Sequence, residues 1–245
     1  MIRAVVFDFG QTLVDSADGF RAAEKEAQAK AFAALGLTAR EDFLDIYREI
    51  RARFHARSDF SRKRILEAVF RHHGREVESA LLERWEGEYW DAVKAMSRPF
   101  PEAESVLNAL RGRYRLALIT NTQGQNKKGK HRLVNYPELE RFFEVIIVAG
   151  EEGIPTKPDQ APFLLCLKKL MIAPHEAVYV GDDWLIDICG SEAAGMHPVW
   201  LRHRMARRRW PAVETQAPVI DGLERLLDVE GLILRGKGGV HGGGK

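Results

Sequence analysis

The chain has 245 residues, 45% of them hydrophobic and 29% charged, with a formal net charge of +2. This mix supplies a substantial core, either in one α/β domain carrying an insertion or in two small domains. A charge so close to neutral argues against nucleic acid as the main partner, and no apolar run approaches the length of a membrane span. The two cysteines, Cys166 and Cys189, sit in apolar, helix-like contexts. They indicate no disulfide framework and fit a reducing cytoplasm. The chain enters a strand directly, without the basic and apolar regions of a signal peptide.

The first predicted element is a buried strand over Ala4–Phe7, ending at Asp8 and a Gly-bounded turn through Gly10 and Gln11. Charged side chains are almost never fully buried unless paired. Asp8 at the strand exit therefore faces a crevice with a cation or donors, where open α/β sheets bind ligands. Taken alone, it serves equally well as a cap for the next helix. From Asp18 to Met96 the pattern is helical. Helices are expected over Ala22–Leu35, stopped by Gly36, and over Phe43–Phe54, with Phe43, Ile46, Tyr47, Ile50 and Phe54 at helical spacing. Ile65–Phe70 and Leu81–Val93 follow, the last carrying Trp85 and Trp90, expected to pack between helices. This block reads as a small helical bundle inserted after the first strand.

The texture then changes. A helix is expected over Pro101–Leu110, followed by short apolar runs at Arg115–Ile119, Val145–Ala149, Ala177–Val180 and Pro198–Leu201. Helices fit at Pro158–Leu170 and Ile186–Ala194, the latter stopped by Gly195. Strands alternating with helices predict an α/β fold: a doubly wound parallel sheet, a Rossmann-like core, with an inserted α-helical cap. The expected domains are a discontinuous core, 1–15 and 97–235, a cap, 16–96, and a flexible Gly-rich tail, 236–245. Thr122–Arg132 reads as a long polar loop. Its Lys127, Lys128, Lys130 and Arg132 either reach an anionic substrate or keep the loop solvated. Arg202–Arg209 carries five arginines, a pattern whose usual meaning is a solvated face. His72, His73 and His131 lack carboxylate or cysteine partners at metal spacing and read as surface or loop histidines.

Four of these positions share one edge. Asp8 follows the first strand, and Thr120 follows Ala117-Leu118-Ile119. Lys157 opens a helix in Thr156-Lys157-Pro158, and Asp182, Asp183 and Asp187 follow Val178-Tyr179-Val180-Gly181. In one parallel sheet such carboxyl ends converge. Asp8 and Asp182, with Asp183 or Asp187 nearby, would repel one another unless a divalent cation intervened. Oxygen-only ligands suit Mg²⁺, which keeps some waters and binds substrate phosphate. The Thr120 hydroxyl and the Lys157 ammonium suit a phosphoryl group. A carboxylate beside such a screened phosphate can attack phosphorus and form an aspartyl-phosphate. Each element alone has a bland alternative as a turn former or surface charge; their joint order in one α/β pattern is much harder to obtain by chance.

In these stretches, Phe7-Asp8-Phe9-Gly10-Gln11-Thr12-Leu13, Leu118-Ile119-Thr120-Asn121, Thr156-Lys157-Pro158 and Val180-Gly181-Asp182-Asp183-Trp184-Leu185-Ile186-Asp187, the chain resembles the haloacid dehalogenase superfamily. Within it, the likeness is to the phosphatase-like branch with a helical cap. The resemblance implies a Mg²⁺-dependent hydrolase of small phosphorylated metabolites. Asp8 would be nucleophile and metal ligand, Gly10 would offer its carbonyl to the metal, and Asp182 would complete the metal site. Thr120, Asn121 and Lys157 would hold the phosphoryl group, with Lys157 also steadying Asp8. Asp187 would orient a metal water or Lys157, and Asp183 would bind water or face solvent. Such a cap is expected to move, with hinges near Asp15–Asp18 and Met96–Phe100.

One departure stands out. Phosphatases of this superfamily normally carry a second Asp two residues after the nucleophile, as acid for the leaving oxygen; here that position is Gly10, and position 11, usually Gly, is Gln. Positioned acid–base catalysis is typically worth ~10²–10⁴ in rate, so good leaving groups are favoured, with Asp15, Asp18 and Glu24 as substitute proton carriers. The alternatives are a non-catalytic phosphate-ligand or protein binder, a dehalogenase, or a phosphonate hydrolase using Lys25, Lys30 or Lys63. Asp182, Asp183 and Asp187 without a cation would oppose a dehalogenase's carboxylate substrate.

Overall fold

Alternate residues along each central strand point to opposite faces, and here both faces are apolar. The computed structural model describes residues 1–122, 132–206 and 208–237. The polar loop's residues 123–131, with three of its lysines and His131, therefore lie outside the described residues, as do 238–245 of the tail. Strands β1 (Ala4–Phe7), β4 (Arg115–Asn121), β5 (Val145–Ala149), β6 (Ala177–Gly181), β7 (His197–Leu201) and β8 (Val219–Ile220) form one sheet in the order β5-β4-β1-β6-β7-β8. All its pairings are parallel. Val6 lies opposite Ala117 on one side and Tyr179 on the other. Two short antiparallel strands, β2 (Val14–Asp15) and β3 (Arg98–Pro99), stand apart from the sheet.

The alternation sorts the core into two layers. Val5, Phe7, Leu116, Leu118, Val178 and Val180 pack with Val106 and Leu107 of α5 (Ala103–Leu110) and Leu139 of α6 (Pro137–Glu140). Ala4, Val6, Ala117, Ile119 and Tyr179 pack with Phe163, Cys166 and Leu167 of α7 (Gln160–Leu170). The chain thus has the expected α/β doubly wound architecture. The helix expected over Ile186–Ala194 starts earlier, as a wide π-helical turn Trp184–Cys189, and ends in α8 (Gly190–Ala193). The two-residue strands β2, β3 and β8 carry too few residues to show a periodicity. A final helix, α9 (Val229–Lys237), was also absent from the sequence-based expectation and carries helical backbone through Gly236 and Lys237, inside the expected tail. Val229 and Leu232 anchor it to the first layer.

The chain divides into two compact units. One takes Met1–Asp15, Arg98–Asn121 and the described residues from 132 onward; the other takes Ser16–Ser97 and Thr122. The second unit is helical: α1 (Ala17–Leu35), α2 (Arg40–His55), α3 (Arg62–His72) and α4 (Ser79–Met96). Phe43, Tyr47, Ile50, Ile65, Leu66 and Val69 form its larger core. Trp90 is buried against Phe20 and Tyr89, and Trp85 lies on Phe70, so both tryptophans pack between helices. His73 lies over the Phe43 ring and His72 is exposed. Among the described residues no helix is long and apolar enough to cross a membrane.

Two glycines in these helices separate backbone propensity from packing. A Cβ on buried Gly19 would sit 2.6 Å from the Val93 carbonyl oxygen, whereas one on exposed Gly87 would meet nothing within 4 Å. Gly19→Ala is expected to destabilise by about 1–3 kcal/mol through overpacking, while Gly87→Ala should stabilise by up to about 1 kcal/mol through helix propensity. Urea unfolding of both variants checks the opposite signs.

Candidate active site

The carboxyl edge of the sheet is where the acids meet. Asp8 continues the β1 ladder, its N–H donating to the Val180 carbonyl at 2.9 Å. Asp182 and Asp183 leave β6, and the π-helical turn that follows brings Asp187 back toward Gly181. A Cβ at Gly181 would lie 2.4 Å from the Asp187 Cβ, so only glycine admits this return. Carboxylate oxygens of Asp8, Asp182 and Asp187 all lie within 4.8 Å of one another.

Lys157 holds this group together from the segment after β5. Its Nζ donates to Asp8 Oδ1 (2.8 Å), Asp187 Oδ1 (2.7 Å), the Tyr179 hydroxyl (2.8 Å) and the Ile119 carbonyl (3.0 Å). Three N–H groups thus serve four acceptors. The residue is 1% exposed, so its charge has almost no water to lean on. Burial alone would lower its pKa, but Asp187 and Asp8 more than offset this and hold it above its ordinary value. Its main chain is fixed by Asn121, which accepts from the Lys157 N–H at 2.8 Å and donates to its carbonyl at 3.2 Å. Asn121 therefore acts on Lys157 through the backbone. Thr120, beside it, is buried at the end of β4.

The remaining acids are differentiated by their donors. Asp187 accepts on Oδ2 from the Asp183 N–H at 3.0 Å; burial pushes its pKa up to about 6, against the pull of Lys157 and with the push of Asp8. Burial also raises Asp182 well above the carboxylate range, opposed by Arg208 and reinforced by Asp187, Asp8 and Asp183. Asp183, expected to bind water or face solvent, caps the following turn: its Oδ1 accepts from Leu185 N–H (3.1 Å) and Ile186 N–H (3.0 Å), while its side chain stays 35% exposed. Gly10 lies in the tight turn Phe9–Val14, closed by Gln11 N–H to Val14 O at 2.8 Å, with Gln11 at φ +62°. Glu24, one of the suggested proton carriers, is already engaged within the helical unit by Arg51 (3.2 Å), Arg62 (3.4 Å) and the Tyr89 hydroxyl (3.2 Å).

Three contributors escaped the sequence. Tyr179 reads as an apolar strand residue, yet its buried hydroxyl sits between Lys157, Asp187 and Ile119 O. Trp200 on β7 donates its indole N–H to the Asp182 carbonyl at 3.0 Å and carries Trp184 at 5.1 Å between ring centroids. Arg208, from the run read as a solvated face, bonds the Asp182 carboxylate. Only the alternation of Tyr179 with Val178 and Val180 toward the Lys157 side could have signalled the first of these.

The donor set suits a divalent cation. Asp8, Asp182, Asp183 and Asp187 face only Lys157 and Arg208 as cations in the contacts described. The ligand atoms are all oxygens, and buried like charges of this kind favour a hard ion such as Mg²⁺.

Residues 2–195 match the haloacid dehalogenase-like hydrolases, and the chain belongs to that family. It is 29% identical over 232 residues to the glyceraldehyde 3-phosphate phosphatase of Methanopyrus kandleri, covering 94% of this chain and 97% of that one. It is 30% identical over 203 residues to the phosphoglycolate phosphatase of Yersinia pestis, covering 82% of each. Among solved structures, a 2-haloacid dehalogenase from Pseudomonas syringae superposes with a TM-score of 0.65 at 27% identity, covering 94% of this chain and 99% of that one. A HAD phosphatase from Thermococcus onnurineus gives 0.65 at 23% identity, covering 94% and 98%.

Removing the Lys157 ammonium leaves two buried carboxylates facing each other. Lys157→Met is expected to cost about 3–5 kcal/mol of stability. Asp187, already above its unfolded value of 3.8, then rises further. A folded-state pKa above the unfolded one adds stability at low pH that is lost as pH rises. The deficit should therefore be larger at pH 8 than at pH 5 in denaturant titrations of the metal-free protein.

Proposed function

We propose that the protein is a metal-dependent phosphatase that hydrolyses small phosphorylated metabolites through an aspartyl-phosphate on Asp8. The observation that carries this is the convergence of Asp8, Asp182 and Asp187 within 4.8 Å of one another, with buried Lys157 paired to Asp8 and Asp187. The relatives named for glyceraldehyde 3-phosphate and phosphoglycolate support a small phosphate ester as substrate. Two free cysteines among the described residues agree with a reducing, cytoplasmic setting.

Lys157 fixes one oxygen of Asp8, and the other attacks phosphorus. The phosphorus–leaving-oxygen bond breaks and the leaving oxygen keeps its electron pair. Water then attacks the same phosphorus, releasing inorganic phosphate and restoring the Asp8 carboxylate. Thr120 donates to a phosphoryl oxygen; Lys157, already shared among four acceptors, serves first as the cation that orients Asp8. Asp8, Asp182 and the Gly10 carbonyl would hold Mg²⁺, which supplies charge neutralisation at the phosphoryl oxygens. Asp187 positions Lys157, and Asp183 shapes the turn that presents Asp182. Two alternatives lose ground on geometry, the phosphonate hydrolase at Lys30 and Lys63 though not at Lys25. Lys30 is paired with Glu26 and Glu88 and Lys63 with Glu83, and Lys30 is raised, opposite to what a Schiff-base lysine needs. The acid cluster likewise opposes a haloacid's carboxylate. A non-catalytic binder keeps one observation in its favour, the absence of a side chain at Gly10.

Asp8→Asn is expected to abolish Mg²⁺-dependent hydrolysis of aryl and acyl phosphates while leaving the circular dichroism spectrum unchanged. Activity surviving that substitution would remove the nucleophile from the scheme, and Mg²⁺-dependent binding of BeF₃⁻ without turnover would favour the binder. Gly10→Asp should raise kcat for alkyl phosphates, whose leaving groups need a proton, by roughly 10²-fold or more. Aryl phosphates, which leave as weak bases, should gain far less. A ratio unchanged between the two substrate types would show that position 10 does not face the leaving oxygen.

A further inference from the structure

Three arginines of the run 202–209 are put to separate uses. Arg202 lies over Trp200, 5.2 Å from the ring centroid, and Arg204 pairs with Glu224 at 2.6 Å. Arg208 turns to the acids: its Nη1 donates to Asp182 Oδ2, its Nη2 lies 3.4 Å from Asp183 Oδ2, and its guanidinium sits 4.7 Å from the Trp210 ring centroid. The base of this segment is firmly held. His203 is buried and stacks on Phe100 with ring centroids 3.6 Å apart. Its Nδ1 accepts from the Met205 N–H at 3.1 Å, which assigns the proton to Nε2, donated to Glu102 at 2.8 Å. The arm carrying Arg208 therefore springs from a fixed point on the same unit as the acids.

We propose that Arg208 is a tethered cation that competes with the divalent metal for Asp182, so that the site alternates between an arginine-held and a metal-held form. The proposal rests on the metal-binding part of the proposed function. Its physical basis is that Asp182 has little water to share: its side chain is 6% exposed. Unpaired, it would be a buried charge among like charges, a costly state. Arg208 relieves that cost from within the chain. A guanidinium on Oδ2 and a divalent cation on either oxygen of the same carboxylate would crowd two positive charges together with little screening. A site that is competent only after the arginine leaves binds metal more weakly by the fraction of time it is free. With the arginine-held form at about nine-tenths or more of the population, the loss is at least about tenfold. The Arg208 side chain is 31% exposed, so its release opens it to solvent without unpacking the core. Its stacking on Trp210 gives the released guanidinium an apolar face to rest against.

The test uses the full chain and Mn²⁺ alone, titrated calorimetrically into wild type, Arg208→Gln and Asp182→Asn. Arg208→Gln should bind Mn²⁺ at least tenfold more tightly than wild type, and Asp182→Asn should lose the binding. A second measurement needs no variant: saturating Mn²⁺ should raise the rate at which phenylglyoxal modifies Arg208 in wild type, read by peptide mass spectrometry. Equal or weaker affinity in Arg208→Gln, with Asp182→Asn still failing to bind, overturns the competition and leaves the metal site standing. Unchanged Arg208 reactivity at saturating Mn²⁺ overturns it as well. Absence of Mn²⁺ binding in both wild type and Arg208→Gln removes the metal site and the competition together.

Discussion

An ammonium group buried to 1% exposure is the constraint on which the acidic edge of the sheet depends. Taking Lys157 out of water costs several kcal/mol, and only close opposite charges and good hydrogen bonds offset it. The partners come from separate parts of the chain: Asp8 after β1, Ile119 in β4, Tyr179 in β6 and Asp187 in the turn beyond. They can meet because β4 and β6 flank β1 in the sheet. The order of strands is thus tied to the chemistry. A sheet with β1 at its edge would leave Lys157 short of a carboxylate or a carbonyl, and the charge would stay in water. Asn121 and Gly181 serve the same arrangement, the first by gripping the Lys157 main chain and the second by making room for Asp187.

The charge balance of the edge then divides it in two. Lys157 satisfies Asp8 and Asp187, while Asp182 and Asp183 turn to Arg208. The first pairing is deep and joins the segments that follow β1, β5 and β6. The second is half-open and reaches in from the segment after β7. Burial and neighbouring carboxylates raise Asp182 despite its arginine, so the second half remains short of positive charge. Arg208, tethered to the chain, answers part of that shortage, and a divalent cation would answer it more fully.

Much of this was legible because strand exits are short and chemically abrupt. Asp8, Thr120 and Asp182 each end an apolar run, and a charge there has to be paired or face a crevice. Lys157 before Pro158 reads alone as a surface charge and stood out only by its order among the other strand-exit residues, just ahead of α7. Tyr179 did not, since a tyrosine within Val178-Tyr179-Val180 reads as core, and it is core; only its hydroxyl joins the site. Arg208 was hidden by its neighbours, because a run of arginines usually marks a solvated face. What distinguishes Arg208 is the anchoring of His203 on Phe100 and Glu102, a contact between residues about a hundred positions apart. No local pattern carries that information.

The turn after β1 raises a different question, about the proton. Gln11 adopts φ +62°, a conformation that disfavours residues with a side chain by roughly 1–2 kcal/mol. Gly10 beside it presents no side chain at all. The turn therefore keeps a backbone cost while lacking the acid expected at that position. Glu24 does not replace it within its own unit, because Arg51, Arg62 and Tyr89 already claim its oxygens. If neither Asp15 nor Asp18 serves the leaving oxygen in its place, the barrier of the proposed reaction depends on how well that oxygen bears charge unaided. Acyl, anomeric and aryl phosphates leave as weak bases and satisfy that condition, whereas a simple alkyl ester does not. On the proposed function, substrate choice would follow the basicity of the leaving group as well as the shape of whatever encloses it.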